Sequence, residues 1–161
     1  RQSRGRIINI SSIAEFTGTP MNSVYVASKT AMGGWSDALR REVAHFGISV
    51  SIVQPAYIRS AIFTSAKEAI SRQSEQQSLL LLTHYKHYFN SEALANLDAE
   101  IRADASEPDV VSEAIDHALC NAHPKTRYAV GKVAGVSATM CAWVRWVLTD
   151  RGADRLMTPV L

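Results

Sequence analysis

The feature that most constrains the fold is a pair of apolar runs rich in β-branched residues, at 7–10 and 48–53, on either side of a helical pattern. The segment at 24–46 repeats apolar residues at helical spacing, and Gly47 supplies a C-terminal stop signal. The repeated positions are Ala27, Ala31, Trp35, Ala38, Leu39 and Val43. A strand, a helix of more than a dozen residues and a second strand predict a βαβ unit in a parallel sheet.

The remainder of the chain adds elements to this unit. Residues 61–106 are rich in Ala, Ser, Gln and Leu and predict helices without sharp ends. Pro108 fits the first turn of a further helix. A third short strand is predicted at 127–131 and a mostly apolar helix at 133–148. We expect one α/β domain with about three parallel strands and flanking helices.

Composition narrows the class of protein. The chain has 161 residues, 47% hydrophobic and 20% charged, which are ordinary globular values and exclude a disordered tail or a fibre. Its 17 basic and 15 acidic residues give a net charge of +2, too small to indicate nucleic acid. No stretch reaches the roughly 18 apolar residues of a membrane span. Two cysteines are too few for a disulfide framework and favour a reducing compartment.

Tyr25 and Lys29 are the strongest candidates for chemistry. Residues four apart share one face of a helix, and a cation beside a phenol favours the phenolate form. Tyr25 is therefore a candidate general acid and base. Ser12 follows the first predicted strand, where its hydroxyl can donate to a developing alkoxide. Pairs spaced like Tyr25 and Lys29 also occur by chance, so the surrounding residues decide whether this pair is catalytic.

Those residues extend the pattern over 5–60. They read GRIINISS at 5–12, Pro20, YVASK at 25–29, Ala31, Gly34, Ser36, Leu39, VQP at 53–55, Ile58 and Ser60. In identity and spacing this segment resembles the short-chain dehydrogenase/reductases. A second stretch, PKTRYAVG at 124–131, resembles their retinol and hydroxysteroid dehydrogenase branch.

The resemblance implies a Rossmann-like doubly wound sheet and an NAD(P)-dependent oxidoreductase that interconverts an alcohol and a carbonyl. Ser12 matches the family serine that hydrogen-bonds the substrate oxygen. Tyr25 matches the proton donor and acceptor. Lys29 matches the lysine that binds the nicotinamide ribose and promotes the phenolate. The resemblance implies NAD or NADP as the cofactor. We expect no metal, because no cysteine or carboxylate cluster lies near His84 and His87, the pair whose spacing could suit one.

The loop after the second strand matches the family segment that faces the nicotinamide. Its cofactor-binding candidates, besides Tyr25 and Lys29, are Pro55, Ala56, Ile58 and Ser60. The family usually has Gly after this proline and Thr five residues after it. Here Ala56 adds a methyl group and Ser60 keeps a hydroxyl.

The family also has a glycine-rich turn, an Asn-Asn-Ala-Gly segment and a catalytic Asn before the serine strand, and this sequence contains none of them. We therefore expect a C-terminal portion of a longer enzyme that lacks the N-terminal half of the sheet and is inactive alone. We divide it into a catalytic βαβ unit at 1–60, a substrate lid at 61–106 and a helix–strand–helix end at 107–161.

The lid favours a small apolar alcohol or carbonyl compound, such as a steroid, retinoid or lipid. Its apolar residues, which could equally serve packing, are Leu79 to Leu82, Tyr85, Tyr88 and Phe89. Trp143 and Trp146 lie on a helix that suits the core, a subunit contact or a membrane interface, with packing favoured. We expect a cytoplasmic or peripherally membrane-associated protein that forms a homo-oligomer when full length. The alternatives are a non-catalytic Rossmann-like binding module or truncated inactive homologue, and an epimerase or dehydratase.

Overall fold

Three parallel strands form the central sheet of the computed structural model, which describes residues 4–18, 20–62, 84, 95, 99 and 101–157. Strand β1 is Gly5–Ile10, β2 is Ile48–Pro55 and β3 is Arg127–Val130. The strand order is β1-β2-β3, with Ile10 opposite Val53 and Tyr128 opposite Val53 on the other side. Strand β2 is central, and its residues from Val50 to Gln54 are buried.

Helix α1 (Ser23–Val43) follows the predicted pattern closely. A short 3-10 turn, Ala44–Phe46, extends it to Gly47, whose φ of 72° is a left-handed conformation that suits glycine. Helix α2 is Asp109–Cys120, with Pro108 immediately before it. The prediction of an α/β fold with three parallel strands and flanking helices is confirmed.

The two helices cover opposite faces of the sheet. Neighbouring residues of a strand point to opposite faces, and Val53 packs against Ala114 and Ala118 of α2. Asn9 instead reaches α1, where its Nδ2 donates to Ser36 Oγ at 2.8 Å. The parallel sheet is therefore sandwiched between α1 and α2, as in doubly wound folds.

The predicted helix at 133–148 is partly wrong. A hairpin comes first, formed by β4 (Lys132–Val133) and β5 (Val136–Ser137). Its two-residue turn has Ala134 at φ 48° and Gly135 at φ 73°, which cannot continue a right-handed helix. Helix α3 (Ala138–Val147) then begins with Ser137 Oγ accepting from Met140 N at 3.2 Å, and α4 is Asp150–Met157.

Helix α3 turns an apolar face outward. Trp143 is 67% exposed and Trp146 is 87% exposed, beside Met140 and Val147, which are also exposed. These exposures exclude the core from the favoured prediction of a packed helix, whereas its other form, a subunit contact, and the membrane alternative stay open. None of the helices in the described ranges has the length and apolar character needed to cross a bilayer. The apolar lid residues lie outside the described residues.

Candidate active site

Ser12 lies just beyond the end of β1, in an extended conformation that lets its side chain cap the next turn. Its Oγ accepts a hydrogen bond from Ala14 N at 3.2 Å, and so caps the 3-10 helix Ile13–Glu15. The same hydroxyl donates to Pro55 O across 3.5 Å. That distance is at the limit for an O–H donor. The oxygen is therefore fixed by its capping bond, while its hydrogen can be redirected to a stronger acceptor.

Tyr25 and Lys29 lie together in the first turns of α1, as their spacing predicts. Lys29 Nζ is 5.6 Å from the centroid of the Tyr25 ring and donates to Ile10 O at 3.3 Å. Tyr25 is 43% exposed. The ammonium is thus held next to the phenol and bonded to the carboxyl end of β1.

The end of β1 is hydrogen-bonded to both β2 and α1. Ser11, which is buried, donates from N to Val53 O at 2.8 Å and from Oγ to Lys29 O at 3.3 Å. These bonds bring Ser12 and Lys29 to the same edge of the sheet. In open α/β sheets, ligands bind at the carboxyl ends of the strands.

The loop after β2 is hydrogen-bonded to β3 and to Ser106. Ala56 N donates to Val130 O at 2.8 Å, and Arg59 N donates to Ser106 O at 2.8 Å. The Ala56 methyl group lies against Gly131, since a Cβ built on that glycine would be 3.3 Å from it. Gly131 also has a φ of 87°, so an L side chain is disfavoured there on two counts. Ser60 is exposed at the end of the loop.

A polar network beside Ser12 was not predicted from the sequence. The Glu15 carboxylate, only 10% exposed, accepts from Gln54 Nε2 at 2.8 Å and from Arg127 Nη2 at 3.2 Å. Arg127 also binds both carboxylate oxygens of Asp37, at 3.0 and 2.8 Å. The hydrogen bond from Arg127 holds the pKa of Asp37 below its ordinary value, and Asp37 in turn raises the pKa of Arg127.

No local signal could have revealed this network, because its members come from four elements far apart in the chain. Among the residues that the structure describes, no group of three or more His, Cys, Asp or Glu side chains could hold a metal ion.

Comparison with known proteins shows which family the chain resembles. A family model described as short chain dehydrogenase matches residues 1–71. Human 17-beta-hydroxysteroid dehydrogenase type 6 is 36% identical over 140 residues, covering 81% of this chain and 42% of that protein. Human retinol dehydrogenase 5 is 35% identical over 135 residues, with the same coverages of 81% and 42%. The chain is therefore similar to the short-chain dehydrogenase/reductases, through residues 1–71 and through these two relatives.

The chain spans 42% of the length of those two curated relatives. The crystal structure of a short chain dehydrogenase from Mycobacterium paratuberculosis bound to NAD matches it with a TM-score of 0.50 at 22% identity. The match covers 85% of this chain and 46% of that one, and it supports the Rossmann-like fold. The predicted resemblance to this family, and to its retinol and hydroxysteroid dehydrogenase branch, is therefore confirmed.

Proposed function

We propose that this protein interconverts an alcohol and a carbonyl with NAD or NADP as its cofactor. The observation that carries the proposal is the placement of Lys29 Nζ, 5.6 Å from the centroid of the Tyr25 ring and 3.3 Å from the Ile10 carbonyl oxygen. This arrangement puts a proton-transfer group and a cation at the edge of the sheet where ligands bind.

Each catalytic candidate has a distinct role in the reaction at the substrate oxygen. Tyr25 takes the hydroxyl proton in the oxidation direction and returns it to the oxygen in reduction. Lys29 places its ammonium beside the phenol, 5.6 Å from the centroid of the ring. Ser12 turns its hydroxyl hydrogen away from the long contact with Pro55 O and donates it to the substrate oxygen, where negative charge develops.

The residues present fit the nicotinamide half of the cofactor. An ammonium has three N–H donors, and the Ile10 carbonyl takes one, which leaves donors for ribose hydroxyls. The methyl group of Ala56 lies against Gly131, so the departure from the family glycine is accommodated within the protein. We assign the contacts with the ribose and nicotinamide to Tyr25, Lys29, Pro55, Ala56, Ile58 and Ser60. When bound, the nicotinamide supplies the hydride chemistry.

We infer an apolar substrate, of the steroid, retinoid or lipid class, from the likeness to proteins named hydroxysteroid and retinol dehydrogenases. The exposed tryptophans of α3 are consistent with a subunit contact or a peripheral membrane contact. We therefore propose a homo-oligomer located in the cytoplasm or on a membrane surface, and we keep the three-part division of the chain at residues 60 and 106 as a proposal.

Substitution of Tyr25 tests the function. In the native protein, assayed with NAD and NADP against steroid and retinoid alcohols, Tyr25→Phe should lower kcat by at least about 100-fold, because the proton-transfer group is lost. Tyr128→Phe is the matched control, since it removes a buried tyrosine hydroxyl that bonds His117 and lies on the α2 face.

Near-normal turnover by Tyr25→Phe would overturn the assignment. Binding of NAD or NADP without any turnover that depends on Tyr25 would instead favour a non-catalytic binding module.

A further inference from the structure

Glu15 and Ser12 form the two ends of one short structural unit. Ser12 caps the 3-10 helix Ile13–Glu15, and Glu15 is the last residue of that helix. A helix of three residues is too short to absorb a displacement of one of its ends. Glu15 N also donates to Ser12 O at 3.1 Å, so we expect a displacement of Glu15 to move Ser12 as well.

The Glu15 carboxylate is anchored at both oxygens. One accepts from Gln54 Nε2, whose side chain is 2% exposed at the end of β2, and the other accepts from Arg127 at the start of β3. A mostly buried carboxylate bound by two donors has one stable position. This anchor attaches the Ser12 turn to two neighbouring strands of the sheet.

Glu15 also attaches the turn to the helix that carries Tyr25 and Lys29. Its backbone carbonyl accepts from Thr30 Oγ1 at 3.2 Å. Its carboxylate lies against Gly33, where a built Cβ would overlap it. Both contact residues are on α1, within two turns of Lys29.

We propose that Glu15 is a positioning residue that fixes the Ser12 hydroxyl relative to Tyr25 and Lys29. The inference rests on the proposed function, because it assigns Glu15 a part in the reaction through Ser12. Glu15 itself contacts neither substrate nor cofactor, since its carboxylate is occupied by Gln54 and Arg127.

A double-mutant cycle in the native protein tests the proposal. Glu15→Gln keeps the shape of the side chain but offers one acceptor oxygen where two donors converge, so the anchor is lost. We expect kcat to fall by about 10-fold or more, with a much smaller change in cofactor Kd, because misplacement of a reacting group is costly. In the Ser12→Ala background, the same change should alter kcat by less than about twofold, because the group being positioned is already gone.

Two further variants keep the result interpretable. Gln54→Met removes one donor to Glu15 while leaving the ion pair with Arg127, and it should repeat the cycle if Glu15→Gln fails to fold. Asp150→Asn is the matched control, since it removes the carboxylate that accepts from Arg145 at 2.8 Å on α3 and α4. It should leave kcat unchanged.

An equal loss of kcat with and without Ser12, or no loss at all, would overturn the positioning role while leaving the proposed function intact. If Ser12→Ala and Tyr25→Phe also have no effect on kcat, the proposed function fails as well, and the two failures are told apart by those single variants.

Discussion

The two faces of the sheet differ in that ion pairs join the sheet to its helix on the α1 face, whereas an apolar cluster and the Tyr128–His117 hydrogen bond do so on the α2 face. On the α2 face, Val53 and Tyr128 pack against the small residues Ala114 and Ala118 in an apolar cluster. On the α1 face, hydrogen bonds and ion pairs join the sheet to the helix. These are the Asn9–Ser36 bond and the network of Glu15, Gln54, Asp37 and Arg127.

Because of this difference, we expect the two faces to contribute differently to the stability of the fold and to the geometry of the site. Apolar packing is non-directional and stabilises a fold roughly in proportion to the area it buries. Hydrogen bonds between charged groups add geometric specificity as well as free energy. The helix that carries Tyr25 and Lys29 is the one attached by hydrogen bonds between charged groups. We therefore expect substitutions on the α2 face to alter mainly the free energy of unfolding, and those on the α1 face to alter the site as well.

The largest loss of stability is expected at Val53. Its side chain is completely buried in the α2 cluster, so Val53→Ala should lower the free energy of unfolding by about 2–3 kcal/mol through lost burial and a residual cavity. Denaturant titration followed by circular dichroism would measure it. The exposed Val147 provides the control, and Val147→Ala should change stability by less than about 0.5 kcal/mol. Equal effects at both sites would remove the basis for calling the α2 face the core.

Substitution of two adjacent glycines of α1 tests the contact between this helix and Glu15. A methyl group at Gly33 would displace the Glu15 carboxylate from Gln54 and Arg127, whereas nothing lies within 4 Å of the position at Gly34. Gly33→Ala should therefore destabilise the protein by about 1–2 kcal/mol. Gly34→Ala should stabilise it by about 0.5–1 kcal/mol, because alanine favours a helix. Thermal unfolding of both variants checks the contrast, and a shift of the same sign in both would contradict the close contact at Gly33.

The smallest loss of stability expected depends on pH. Because Arg127 lowers the pKa of Asp37 below 3.8 in the folded state, Asp37 contributes stability above that pH, and the contribution is lost as the pH falls through the lowered pKa. Asp37→Asn should cost about 1 kcal/mol at neutral pH, a modest value because both side chains are partly exposed. Chemical denaturation of both proteins across the acid range should show the difference shrinking below pH 3.8. A constant difference would mean that Asp37 is not bound as its carboxylate.

The sequence predicted the elements whose signals are local. The β-branched runs marked β1 and β2, and the spacing of Tyr25 and Lys29 placed both on one face of α1. The hairpin before α3 was missed because its turn, Ala134 and Gly135, lies between apolar residues that continue a helical pattern. Its left-handed conformation is fixed by the fold, with Gly135 N donating to Asp104.

The supporting part of the site could not be predicted in the same way. Glu15 and Arg127 are 112 positions apart, and nothing in the residues around either one indicates a partner. Only the pairing of β2 with β3 brings Gln54 and Arg127 to the same face of the sheet. The roles of Ser12, Tyr25 and Lys29 stay predictions until their variants are assayed.

The exposure of the tryptophans has a spectroscopic consequence. The chain contains three, and Trp35, Trp143 and Trp146 are all more than half exposed. Indole fluorescence moves to shorter wavelength when water is excluded, so the folded protein should already emit near the wavelength of the unfolded chain. Its intrinsic emission is therefore a poor monitor of unfolding. It is a good monitor of anything that covers α3, since two of the three emitters lie on that helix.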